Sequence, residues 1–252
     1  MFWKDNKKTF FLLWLAYLVS SVVATCFSIM NGNAFFKDLT SSQILLNYLI
    51  GIPAHGAIIF LGLWLAAKVG FTTAAKKGDR IRLILKPAII GGALLPCILF
   101  PMYLLIMNAA EKAVLLGNNV YTTLMGTPLN AFFISIHAGI SEESVFRLFY
   151  TTLLVWLTRK CYSTIHDDRF AVWIGILLAG ILFGAAHLPA ISVLGLALTV
   201  PLAAKIIMFN ATCGIFFGYM YWRYSLVTAM LTHIIVDIAI YTAILPLYLW
   251  LF

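Results

Sequence analysis

Three acidic residues in this sequence stand where a charge is costly. Glu142 and Glu143 fall in the middle of the apolar run NAFFISIHAGISEESVFRLFYTTLLVWL, and Asp237 falls within LVTAMLTHIIVDIAIY. An ionisable group near a bilayer centre costs at least ~2.5–3.5 kcal/mol, so two adjacent carboxylates persist there only if a bundle interior supplies partners or water. Arg147 lies four residues past Glu143, a spacing that stacks the two on one helix face as an ion pair. Glu142 lies about 100° around the axis and is left freer. His187 ends the run GILFGAAH, and His233 precedes Asp237 by four residues on the same face of its helix. This set offers a general base, a proton shuttle and a hydrogen-bond donor. It offers no obvious nucleophile: Ser141 and Ser144 sit outside any nucleophile elbow, and there is no Ser–Lys signature. The chemistry is therefore that of activated water. A desolvated Glu142 would deprotonate it, His187 would orient it or return a proton to a leaving amine, and His233 would donate to the oxyanion. The implied reaction class is amide hydrolysis within a membrane.

The elements that must position these groups follow from composition. Of 252 residues, 63% are hydrophobic and 10% charged, against roughly 45–50% apolar and 25% charged in soluble domains. Mean hydropathy is +0.98. A soluble globular domain, disorder, collagen, coiled coil and a disulfide-stapled scaffold are excluded. With about 20 apolar residues per crossing, the chain reads as an all-α, polytopic membrane helix bundle with about eight transmembrane helices. The expected spans are 10–30, 43–67, 87–107, 129–157, 171–189, 191–203, 205–222 and 226–250, the sixth short enough to be tilted or re-entrant. One membrane domain, 1–252, is expected, with 129–240 as its catalytic core and 1–128 as accessory helices. The net charge of +8 sets topology rather than marking a nucleic-acid binder. Lys68, Lys76, Lys77, Arg80, Arg82 and Lys86, against Asp79, place one loop in the cytoplasm, and Arg159, Lys160 and Arg169 another. The loops with Lys37/Asp38 and Glu111/Lys112 are nearly neutral, and Lys4, Lys7 and Lys8 start the chain inside. Eight spans then put both termini in the cytoplasm. The apolar run after these lysines is long for a signal core, so an uncleaved first helix is expected. The basic loop would otherwise be an anionic-lipid or partner patch.

Depth brings the polar residues level. Glu142 lies 15 residues before Leu157, about 22 Å at ~1.5 Å per residue, and His187 lies 16 residues after Ala171, about 24 Å. His233, about ten residues from Arg223 on the opposite side, lies ~15 Å in. His55, His137 and His166 are read as ordinary core histidines. Gly180/Gly184 and Gly214/Gly218 form two G-x-x-x-G pairs suited to close packing, with no catalytic part. Cys26, Cys97, Cys161 and Cys213 are scattered and form neither a disulfide framework nor a thiolate metal site.

Three motifs in order on successive apolar segments, E-E-x-x-x-R (Glu142, Glu143, Arg147), F-x-x-x-H (Phe183, His187) and H-x-x-x-N/D (His233, Asp237), resemble the CAAX protease and bacteriocin-processing (CPBP, or Abi) family of intramembrane endopeptidases. The resemblance covers about residues 129–240. It implies an eight-helix membrane enzyme in which the first Glu and the F-x-x-x-H histidine activate water and the last motif supports the oxyanion. It also implies peptide or lipidated-protein substrates such as prenylated CAAX tails, bacteriocin leaders or peptide pheromones. Here the last motif ends in Asp237; an ionised Asp would repel an oxyanion, so it must carry a proton or act by orienting His233. Glu142, His187 and His233 would also make a His₂Glu set for Zn²⁺, the ground on which the family has been labelled metalloprotease. The chain lacks H-E-x-x-H, and the resemblance favours direct glutamate catalysis, so no cofactor is expected. A proton-coupled transporter would use similar residues, but it calls for paired broken helices or an inverted repeat, and neither is found. A non-proteolytic regulator of a membrane partner is the third reading. The compact size suits a prokaryotic plasma membrane.

Overall fold

The computed structural model describes residues 2–33, 35–73, 81–108, 127–162, 168–193 and 197–244, with side chains omitted for 192, 193, 243 and 244. Lys76, Lys77, Asp79, Arg80, Glu111, Lys112 and His166 lie outside the described residues. All regular structure among the described residues is helical: α1 (Phe2–Met30), α2 (Ser41–Val69), α3 (Arg82–Ile106), α4 (Pro128–Glu142), a π-helical segment (Glu143–Thr151), α5 (Thr152–Cys161), α6 (Asp168–Ala186), α7 (Leu188–Val193), α8 (Val200–Arg223), α9 (Leu226–Ala239) and a second π-helical segment (Ile240–Ile244). α4, the first π segment and α5 follow without a break, so residues 128–161 form one rod. Among the described residues, five helices are long and apolar enough to cross a membrane, with mean hydropathies from 1.6 to 2.3.

Helix starts are set by side chains that satisfy the orphan N–H groups of a first turn. Thr40 and Gln43 form a reciprocal capping box before α2. Thr127 accepts from Asn130 N before α4, Thr199 from Leu202 N before α8, and Ser225 from Thr228 N before α9. The Thr199–Pro201 start corrects the sequence reading. Residues 191–203 do not form a span: α7 ends at Val193, and a new helix begins at Val200 with Pro201 in its first turn. Hydropathy sees one apolar stretch there, whereas the cap and the proline mark a boundary inside it. Smaller shifts bring Arg82 and Lys86 into α3 and Lys4, Lys7 and Lys8 into α1 rather than into loops.

The bundle is apolar outside and polar at points within. Leu45, Leu46, Leu49 and Ile50 on α2 and Ile89, Ile90, Leu94 and Ile98 on α3 face outward, while Ser28, Asn130, Ser135, Thr228 and Thr232 are buried. That distribution suits hydrocarbon surroundings, in which small and polar residues hold helices together. Ser28 Oγ donates to Asn130 Oδ1 at 3.4 Å between α1 and α4. The two G-x-x-x-G pairs meet: Gly214 approaches the Gly180 backbone, and a Cβ at Gly184 would fall 2.4 Å from Ile207 O. α6 and α8 therefore pack backbone to backbone.

Candidate active site

Glu142 ends α4, and Glu143 opens the π-helical segment. π segments are rare and are found often at functional sites. Here local hydroxyls take up the carbonyls of the altered ladder. Ser144 Oγ donates to Ile140 O at 2.7 Å, Thr151 Oγ1 to Phe146 O at 2.8 Å, and Thr152 Oγ1 to Leu148 O and Phe149 O. Glu143 is fully buried, whereas the Glu142 side chain is 32% exposed. Arg147 Nε lies 3.3 Å from Glu143 Oε2. That contact is a charge pair without hydrogen-bond alignment, and Nη1 and Nη2 of Arg147 are buried without a hydrogen-bond partner among the described residues. Ring faces hold the guanidinium instead. Its Cζ lies 4.4 Å from the Phe183 ring centre and 5.3 Å from that of Phe217.

The same Glu143 grips His233. His233 Nδ1 lies 2.8 Å from Glu143 Oε1, and since the carboxylate accepts, this nitrogen carries a hydrogen. The other nitrogen, Nε2, faces Asp237 Oδ2 at 3.6 Å and Glu142 Oε2 at 3.9 Å. Phe217 stacks on the imidazole at 4.4 Å between ring centres and 17° between planes. Glu143, Arg147, His233 and two phenylalanines thus form one block from four elements: the π segment, α6, α8 and α9. The block fixes the orientation of the ring and leaves one edge for the cavity.

His187 stands at the joint between α6 and α7. Its Nδ1 lies 2.8 Å from Phe183 O, which can only accept, so Nδ1 carries hydrogen and the neutral ring keeps a lone pair on Nε2. Phe183 packs edge-on to His187 at 4.7 Å and to His233 at 6.0 Å. The aromatic of F-x-x-x-H therefore touches both imidazoles and the arginine.

Glu142, His187, His233 and Asp237 line a single cavity of about 590 Å³. The structure brings these four together at its surface and places Glu143 and Arg147 behind them. The far wall comes from α1 and the turn after it, including Thr25, Ser28 and Phe35. Sequence reading missed four further lining residues: Asn210, Cys213, Phe217 and Tyr241. Asn210, Cys213 and Phe217 recur at i, i+3 and i+7 along α8, a stripe that hydropathy cannot tell from lipid-facing surface. His137, read as an ordinary core residue, also lines the cavity and meets Ser20 Oγ through Nδ1 at 3.2 Å. His55 is buried, stacks on Tyr17 at 3.6 Å, and has no hydrogen-bond partner at Nε2 among the described residues.

One nitrogen of each histidine is committed, to Glu143 and to Phe183 O, which leaves each Nε2 toward the cavity; among the described residues no three His, Cys, Asp or Glu side chains are grouped to hold a metal ion. What the arrangement offers is carboxylates and imidazoles facing a common space inside an apolar bundle.

Residues 124–239 match the family model described as Type II CAAX prenyl endopeptidase Rce1-like. No curated protein and no solved structure matches the chain. The matched stretch contains E-E-x-x-x-R, F-x-x-x-H and H-x-x-x-D entire, and it supplies α4, the π segment, α6 and α9, every element that carries them. The chain is an integral membrane protein, and its residues 124–239 are similar to the Rce1-like family of type II CAAX prenyl endopeptidases.

Proposed function

We propose that this protein is a glutamate-dependent intramembrane endopeptidase acting on a membrane-associated peptide or lipidated protein. The observation that carries the proposal is the convergence of Glu142, His187, His233 and Asp237 on one cavity within an apolar bundle. Glu142, the more open of the two glutamates, takes a proton from water, and the resulting hydroxide attacks the carbonyl carbon. His187 accepts a hydrogen bond from that water at Nε2 and so aims it. The carbonyl π electrons move to oxygen, and the proton held on Glu142 passes to the amide nitrogen as the C–N bond breaks, so that atoms and charge balance. Glu143 and Arg147 are positioning residues that hold His233. His233, with hydrogen on both ring nitrogens, donates from Nε2 to the developing oxyanion alongside the amide of Asn210, while Asp237 keeps His233 in place.

Replacing Glu142 by Ala is expected to abolish cleavage of a prenylated or apolar peptide reporter in proteoliposomes while thermal unfolding stays near that of the unaltered protein. A general base typically contributes about 10²–10⁴-fold. Turnover retained within tenfold would remove Glu142 from the mechanism. Solute uptake driven by a pH gradient, with no cleavage, would replace the protease reading by a transporter.

A further inference from the structure

The basic residues at one end of the bundle do more than accumulate. Ion pairs among the described residues join Arg147 to Glu143, Arg159 to Asp168, and His233 to its carboxylates. Arg82, Lys86 and Arg223 take part in none of these, yet they line one recess of about 330 Å³ together with Thr72, Ser225 and Thr228. Among the described residues no acidic side chain lines it. Arg223 also borders a neighbouring recess of about 430 Å³ walled by Trp173, Tyr219 and Trp222, with Arg169 at its edge. Trp173 lies nearly parallel to Tyr219, at 6.3 Å and 19°, and edge-on to Trp222 at 5.9 Å.

A topology signal requires only that Lys and Arg lie on the correct side, wherever they fall in the loops. It does not require three cations from two separate elements, α3 and the end of α8, to face one hydroxyl-bearing recess. Like charges lining one recess repel, and an anion between them removes the repulsion. Two guanidinium forks and an ammonium suit the oxygens of a phosphate group. An aromatic wall beside the cations is of no use to a free solute ion. It is suited to the glycerol and upper acyl region of a lipid, where Trp and Tyr concentrate at membrane interfaces. Basic pockets between transmembrane helices bind anionic head groups in this way.

We propose that the recess formed by Arg82, Lys86 and Arg223 is a phosphate-binding site occupied by the head group of an anionic phospholipid, whose glycerol end lies against Trp173, Tyr219 and Trp222. The site joins the start of α3 to the α8–α9 corner. α9 then carries His233 eight residues beyond Ser225, about 12 Å along the helix. The proposal does not depend on the protease reading.

The test uses the full chain in phosphatidylcholine nanodiscs, with native mass spectrometry counting retained phosphatidylglycerol and a parallel titration with inorganic phosphate followed by thermal unfolding. The expected result is retained phosphatidylglycerol, with apparent affinity lowered about tenfold or more in R82Q/K86Q/R223Q. The control variant K4Q/K7Q/K8Q removes the same charge from the same end and is expected to change affinity less than about twofold. Equal losses in both variants would mean bulk surface charge and would overturn the site. Stabilisation by inorganic phosphate with no preference for phosphatidylglycerol would overturn the lipid. Should the triple variant fail to fold, Arg223→Gln alone, at an exposed position, provides the same comparison, with a loss of about threefold or more expected.

Discussion

Asp237 sets a problem that Asn210 answers. A carboxylate beside a forming oxyanion would oppose it, and the geometry gives Asp237 another partner, His233 Nε2 at 3.6 Å. Asn210, on the neighbouring α8, donates one N–H to Ile206 O at 3.0 Å and lines the same cavity. Its amide has a second N–H, neutral in charge and free of the objection that applies to Asp237. Removing one oxyanion donor typically costs about 10²–10³ in kcat. Asn210→Leu is therefore expected to lower kcat about 10²-fold with little change in KM. Adding Asp237→Asn to that variant should restore part of the loss, since it supplies an amide close to the missing one. A double variant no better than Asn210→Leu alone would show that Asn210 acts through packing. The sequence made Glu142, Glu143 and Asp237 visible because a charge in an apolar run is costly wherever it points. Asn210 and Phe217 carry no such cost, so only the folded arrangement separates them from ordinary helix residues.

At the level of elements, the positions of His187 and His233 depend on how closely α6 and α8 approach. Gly184 lies three residues before His187, and a Cβ there would meet Ile207 O at 2.4 Å. Backbone cannot step aside as a flexible side chain can. Gly184→Ala is expected to push the helices apart, lower stability by about 1–3 kcal/mol, and lower activity as His187 leaves its place. Gly51→Ala on α2 is the matched control, because its Cβ would find only Tyr17 Oη at 3.9 Å and alanine improves helix propensity. Thermal unfolding of both variants in the same detergent separates the cases, and an equally stable Gly184→Ala would contradict the close-packing account. The paired glycines were legible in the sequence as a packing signal, but which pair met which was not. Two other features escaped for definite reasons. A period of 3.6 residues is assumed in reading a helix, so the π segment over Glu143–Thr151 has no periodic signature. Hydropathy sums over the Thr199–Pro201 cap, so it joins α7 and α8 into a span that does not exist.

For the whole molecule, the cavity is reached through a wall that the motifs do not contain. The motif-bearing helices supply its floor, while α1 closes the opposite side through Phe27 stacked on Phe133 at 4.4 Å and the Ser28–Asn130 and Ser20–His137 contacts. Under the proposed function, the first helix therefore bounds the space in which a substrate would lie beside Glu142. Ala138 lies in that space, one helical turn before Glu142 on the same face. An indole at 138 would occupy room meant for an apolar chain while leaving the Glu143–His233–Arg147 block untouched. Ala138→Trp is expected to raise KM for a long-chain lipidated or apolar peptide about tenfold or more, a loss of ~1.4 kcal/mol of binding. For a short peptide spanning only the scissile bond, kcat/KM should change less than about threefold. Steady-state kinetics with both substrates decides the matter. An equal loss for both would place Ala138 in the chemistry or in stability, and would leave α1 and α4 as supports rather than the walls of a substrate channel.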